Sequence, residues 1–434
     1  MGCGAQDLNE QAIVSKVLKM LDGREVVRLT SESVRFPSVT TEPGAEKETA
    51  EYFADRWREM GLEVQLQEIW KDRPNLIGRL KGSGGGLTLM LEGHMDIDPL
   101  CNPELWKHGP YSGDVDWTEG WVYGHGAVND KGGIAAATEA VNAIIKSGIK
   151  LQGDIILVGV MGEVCGFIGS KYMAERGPIP DACIIVEPTD CQIQTAHLGK
   201  INFNIVTKGK STHISGLYSP LKPGYHRGVN PIEKMIKIIY AMEYSKPWPQ
   251  NLRETFTYKP HPLLGDPIIC AGIFHAGMTE KPENLPNECI ASFSLKVIPG
   301  MTIETVKKDV EDLIKKLRLQ DSDIDAEVRI WDITYPSTVI PSNEPIVQVV
   351  GKAHTAIFAE QANIQNQEAP WIYGTTDATM WWNIAKVPCA IYGAGGAEGW
   401  VFPDERQNIR QLVDSSKVYA LSALDICTRQ KMQT

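Results

Sequence analysis

Three apolar stretches, each closing on a titratable side chain, constrain the fold of this chain more than any other feature. "LTLMLEGHMDID" runs into His94, "GDIILVGVMGE" into Glu163 and "ACIIVEP" into Glu187. Runs that are apolar on both faces suit strands inside a sheet covered by helices. Helical patterns lie between them: the Ala-rich "KGGIAAATEAVNAIIKSG" and then "KYMAERG". Upstream, "AIVSKVLKMLDG" and "EKETAEYFADRWREMG" carry helical spacing and stop at glycines, and "LEVQLQEIW" and "NLIGRLKG" read as strands. Strands alternating with helices predict an α/β domain with a largely parallel sheet.

At about residue 198 the texture changes. "KINFNIVTKGK" alternates like a half-exposed strand, "NPIEKMIKIIYAMEY" is helical, "ECIASFSLKVIPG" is a strand, "TIETVKKDVEDLIKKLR" is an amphipathic helix and "DAEVRIWDI" closes the set. This order predicts a small α+β insertion over residues 198–332, within an α/β domain built from 1–197 and 333–434. The chain resumes with "EPIVQVVGKAHTAIF", "VPCAIYGAGG" and a final helix "NIRQLVDSSKVYALSALDICTRQ".

The chain has 434 residues, 43% hydrophobic and 22% charged, with a net charge of -11. These values fit a soluble globular protein and oppose nucleic-acid binding, which needs a basic face. No apolar run approaches the ~18 residues of a membrane span. "MGCGAQDLNE" lacks a secretory signature, and Gln6 stands where a myristoylation motif wants Ser or Thr. Nine scattered cysteines without a CxxC pair fit reduced thiols, so a cytoplasmic location is expected.

His94 and Asp96 are two apart at a strand end, on the same side of the backbone. Such a pair suits a metal ligand beside a carboxylate that orients it. Asp130 sits in the glycine-rich turn "YGHGAVNDKGG", and Glu187 closes its strand at the carboxyl edge, where α/β sites lie. Each alone is an ordinary turn or strand end. Four together point to a site.

Taken in order, "LEGHMDIDP", "YGHGAVNDKGG", "GEVCGFIGS", "IIVEPTD", "KSTHIS", "ENLPNE", "GTTDATMWW" and "GAGGAEGWVFPDE" resemble the metallopeptidase and deacylase family of aminoacylase, acetylornithine deacetylase, succinyl-diaminopimelate desuccinylase and glutamate carboxypeptidase. The resemblance covers nearly everything after residue 20. It implies a zinc-peptidase-like catalytic domain interrupted by a ferredoxin-like lid or dimerisation domain, and a homodimer or larger homo-oligomer. It further implies metal ligands at His94, Asp130 and Glu187, with Asp130 the bridge between two ions. Glu163 matches the general base, Asp96 the acid behind the first histidine, His213 a lid histidine that contacts substrate or stabilises the oxyanion, and Asn284 a supporting lid residue.

Two departures fall on the same ion. Val164 occupies the place of a second ligand glutamate, and Val401 that of a late ligand histidine; no histidine follows His354. Valine has no lone pair to donate. The expectation is therefore one divalent ion (Zn, Mn, Co or Fe) on His94, Asp130 and Glu187, which suffices to lower the pKa of water from 15.7 towards ~7. The family's common arginine is also missing at His125. Lys296 or Arg227 can take over the grip on a substrate carboxylate, and Trp400 with Phe402 suggests a flat apolar pocket.

The expected activity is hydrolysis of a C–N bond in a small molecule, with Glu163 moving the proton. The sharper expectation is deamination of an electron-poor aromatic amine such as 5-nitroanthranilate, where the ring stores negative charge. Cleavage of N-acyl amino acids or dipeptides is the alternative, and an inactive ligand-binding relative is the reading of another class.

Overall fold

The computed structural model describes residues 3–217, 228–277, 281–366, 374–396 and 403–431. The chain divides into two compact units. Met1–Ala196, Val339–Gln365 and Thr376–Thr434 make the first, and His197–Thr338 with Asn366–Thr375 the second. The sequence expectation ends the insertion at residue 332, within strand Asp325–Tyr335.

The first unit is built on a six-stranded sheet, in the order Glu63–Trp70, Arg73–Leu80, Ile155–Val160, Leu89–His94, Ala182–Ile185, Cys389–Ile391. The last four strands run parallel, while the first two form an antiparallel hairpin against them. The fold is thus the expected α/β, with a mostly parallel sheet. Every residue of the three strands Ile155–Val160, Leu89–His94 and Ala182–Ile185 is buried, as their unbroken apolar character requires. Edge strand Glu63–Trp70 has no buried residue.

Helix Lys131–Ser147 is buried along almost its whole length. Its first turns are Gly, Gly, Ile, Ala, Ala and Ala, so the backbone can lie close to the sheet. A Cβ on Gly133 would stand 2.5 Å from the carbonyl oxygen of Val186. Helix Ile409–Cys427 packs beside it. Strand register then places the chemistry. His94 pairs with Val160 and Glu92 with Ile185, so His94, Glu163 and Glu187 all leave the sheet at its carboxyl edge.

The second unit holds a four-stranded antiparallel sheet, ordered Ile268–Ala276, Glu288–Val297, Gly199–Lys208, Asp325–Tyr335. Helices Pro231–Ile239 and Ile303–Arg318 pack on it. The second of these starts with a capping box between Thr302 and Thr305. Strand, helix, strand, strand, helix, strand is the order read from the sequence. Among the described residues no helix is long and apolar enough to cross a membrane.

Candidate metal and catalytic site

His94 is fully buried at the end of its strand. Its Nδ1 lies 2.8 Å from the backbone carbonyl of Asp96 and 3.7 Å from the Asp96 carboxylate. Its Nε2 faces two oxygens, Asn129 Oδ1 at 3.1 Å and Glu187 Oε1 at 3.7 Å. Burial alone would lower its pKa. The contact with Asp96 and the charges of Glu163 and Glu187 outweigh burial and hold the ring well above the usual imidazole value. Without a cation, then, a proton on Nε2 sits between imidazole, carboxamide and carboxylate. The same three atoms could share a divalent ion once that proton leaves.

Asp130 is the N-cap residue of helix Lys131–Ser147, and its carboxylate points inward. A Cβ on Gly93 would fall 2.4 Å from Oδ2, and one on Gly133 2.4 Å from Oδ1, so both glycines leave room for this group. Both oxygens are buried without a hydrogen-bond partner. Burial, reinforced by the Glu187 charge, pushes the Asp130 carboxyl well above the usual range. The neighbour facing His94 Nε2 is Asn129. Both neighbours in this turn therefore face inward, Asn129 toward His94 and Asp130 into the space left by Gly93 and Gly133.

Glu163 sits in a turn whose backbone is clamped. Met161 N donates to Asn75 Oδ1 (3.0 Å), Gly162 N to Glu46 Oε1 (3.1 Å), Glu163 N to Asp96 Oδ1 (3.0 Å) and Val164 N to Asp96 Oδ2 (3.1 Å). Glu46 is itself paired with Arg73, whose Nε donates at 2.6 Å. Asp96 thus orients His94 and holds the Glu163 turn at once. Burial would raise its pKa, but His94 and the backbone donors keep it below the usual range. Burial raises the Glu163 carboxyl well above its ordinary value, against the pull of His94.

Residues not singled out in the sequence also belong here. Asp377, from "GTTDATMWW", is buried, accepts the Ser170 hydroxyl and is pushed by burial up to about 7. Glu92 lies within the same buried group, accepting from the Trp381 indole. Glu405 accepts from the turn around Gly126. Their buried acidity was invisible in sequence because each partner is distant in the chain.

Of the remaining expected residues, His213 and Asn284 adjoin one another in the second unit through a short β-bridge. His213 Nδ1 accepts from Ser215 N at 3.2 Å, which leaves hydrogen on Nε2 and makes it a donor. Asn284 lines a cavity of about 550 Å³ in that unit. Lys296 is half-buried on strand Glu288–Val297. Arg227, Trp400, Val401 and Phe402 lie outside the described residues.

The donor set of imidazole nitrogen, carboxamide oxygen and carboxylate, with an uncompensated carboxylate behind it, fits a divalent cation in chemical kind. Among the described residues, no three His, Cys, Asp or Glu side chains are gathered into a ready cage. An asparagine among the donors accounts for part of that.

Comparison with known proteins decides the family, since residues 90–425 match peptidase family M20/M25/M40. The chain belongs to this family. As an M20 protein it is a metal-dependent hydrolase of C–N bonds, and family members bind divalent ions. It is 29% identical over 400 residues to an N-formyl-4-amino-5-aminomethyl-2-methylpyrimidine deformylase of Bacillus subtilis (strain 168), covering 88% of this chain and 90% of the relative. It is 26% identical over 355 residues to an acetylornithine deacetylase of Aliivibrio salmonicida, covering 81% and 84%. Its fold resembles human carnosine dipeptidase 1, with a TM-score of 0.74, 15% identity and coverage of 96% and 99%. It also resembles a dinuclear metal-binding M20 peptidase of Bacillus subtilis, with a TM-score of 0.64, 14% identity and coverage of 93% and 98%.

Proposed function

We propose that this M20 chain hydrolyses a small N-acyl amide with a single divalent ion, held by His94, Glu187 and Asn129. The observation that carries this reading is that buried His94 Nε2 faces both Asn129 Oδ1 at 3.1 Å and Glu187 Oε1 at 3.7 Å. Asp130, the ligand expected from sequence, adds a buried carboxylate beside His94 and Glu187. Val164 places an aliphatic side chain beside Glu163 where a second ion would need a ligand.

The bound cation supplies Lewis acidity, which eases deprotonation of water and polarises the amide carbonyl. Glu163 takes the proton of the attacking water and passes it to the leaving nitrogen. Asp96 keeps Glu163 and His94 in register through its two oxygens and its carbonyl. His213 and Asn284 take the part of hydrogen-bond donors to the substrate. A purely binding relative has no use for a clamped Glu163.

The substrate follows from chemistry shared by the relatives: a deformylase and a deacetylase both free a nitrogen from a small acyl group. Deamination of an electron-poor aromatic amine finds no support among them, and the aromatics that motivated it, Trp400 and Phe402, lie outside the described residues. The test pairs metal analysis with a turnover screen of N-formyl and N-acetyl compounds against amino-nitroaromatics. One ion per chain and acyl-amide turnover are expected. Two tightly held ions, or release of ammonia from the aromatic amines alone, overturn the proposal. Asn129→Ala weakens ion binding by roughly 10–100-fold, as loss of a ligand or its immediate support does. Equal binding by Asn129→Ala and wild type removes Asn129 from the ligand set.

A further inference from the structure

His125 is 6% exposed. Its Nδ1 lies 2.8 Å from Glu405 Oε2 and its Nε2 2.7 Å from the carbonyl oxygen of Asp98. A backbone carbonyl and a carboxylate only accept hydrogen bonds. Both ring nitrogens therefore carry hydrogen, and the ring is an imidazolium. Burial would discharge it; the bond to Glu405 more than compensates and keeps its pKa raised. Other groups near the ring include the Asp98 carboxylate, the Trp106 indole, edge-on at 5.9 Å, and Lys131, whose Nζ donates to Phe36 O at 2.6 Å.

Glu405 is 1% exposed and lies inside the turn that His125 begins. Gly126 N donates to both of its oxygens at 3.1 Å, Val128 N to Oε1 at 2.9 Å and Asn129 N to Oε1 at 3.4 Å. Gly126 adopts φ +88°, a left-handed conformation that lets successive amides converge on one anion. The carboxylate is held from the next segment, where Gly124 N donates to the Glu405 carbonyl at 2.9 Å and strand Arg406–Asn408 pairs with Trp121–Tyr123.

We propose that the His125–Glu405 pair is a positioning device for the ion site: His125 anchors the Glu405 side chain, whose oxygens gather the amides of residues 126–129 so that the Asn129 carboxamide meets His94. The proposal rests on the reading of Asn129 as an ion ligand. His125 and Glu405 touch neither ion nor substrate and act through Asn129.

The test measures Mn2+ affinity of His125→Gln, His125→Arg, Asn129→Ala and wild type by competition with a fluorescent chelator, beside the melting temperature of each ion-free protein. His125→Gln weakens Mn2+ binding by roughly 10–100-fold, and His125→Arg restores it to within about threefold, because charge at this place is what matters. A lowered melting temperature with unchanged affinity in His125→Gln makes the pair purely structural and overturns the proposal. So does an arginine variant as weak as the glutamine one. Loss in Asn129→Ala without loss in His125→Gln sinks this proposal alone, whereas no loss in Asn129→Ala sinks the ligand set first. If His125→Gln does not fold, 15N spectra of histidine-labelled wild-type protein at pH 8 decide. Two protonated ring nitrogens on His125 are expected, and one bare nitrogen overturns the charged latch.

Discussion

Two turns at the same sheet edge are held in opposite ways. The Glu163 turn spreads four backbone N–H groups over three acceptors, Asn75, Glu46 and Asp96, from separate elements. The Asn129 turn gathers its N–H groups onto one carboxylate, Glu405. The first turn is redundant and the second depends on a single residue. Redundancy suits a base whose placement must survive proton transfer, while the second turn concentrates its dependence on one distant carboxylate.

Mutations can break or sharpen this contrast. Removing the base has the largest effect: Glu163→Gln lowers kcat by roughly 10²–10⁴-fold and leaves Mn2+ affinity unchanged, as read by steady-state kinetics and chelator competition. Unchanged turnover removes Glu163 from the base role. Next comes Glu405→Gln, which leaves the His125 cation unpaired in the core and costs about 3–5 kcal/mol, read from urea unfolding. Asn75→Ala removes one acceptor of the redundant turn and costs only about 1–3 kcal/mol. Equal costs for the two would erase the contrast.

The pH response of ion-free protein comes next in size. Asp377 rises to about 7 in the fold, and burial raises Glu163, Glu187 and Asp130 as well. These carboxyls keep protons in the fold that the unfolded chain gives up near pH 4. Folded chains then bind more protons than unfolded ones, so stability falls as pH rises from about 4 through about 7. The melting temperature without ion is expected to drop across that window, and saturating Mn2+ to flatten the curve. A melting temperature that climbs to pH 7 contradicts the raised acids. Val164→Glu has the smallest effect, because Val401 still offers no partner ligand. Metal analysis is expected to return one ion per chain for this variant, and two would show that Val164 alone blocked the second site.

Much of the fold was legible because burial is written in apolar runs. "LMLEGH", "IILVGV" and "ACII" carry no other sensible assignment than interior strands. Strand Ile268–Ala276 is implied by the strand, helix, strand, strand, helix, strand order but not located by it, because it lies at a sheet edge, largely exposed, with no alternation to mark it. In the site, His94, Asp96, Glu163 and Glu187 stood out because strand ends fix them within a few residues. Asn129 went unassigned because its contact with His94, 35 positions away, appears only once the turn before the helix is packed. Glu405 and Asp377 went unassigned because their partners, Gly126 and Ser170, lie 279 and 207 positions away along the chain. Such roles arise only once helices and strands have packed.

The inward-turned Asp130 carboxylate has a consequence for the life of the protein. An unpaired acid in the core is tolerable when a cation stands nearby and costly when none does. Ion binding therefore contributes to folding as well as to chemistry, by an amount that grows with the logarithm of free ion over its Kd. A molecule that loses its ion is the one that opens first to a protease, so the chain's abundance is tied to the metal supply around it.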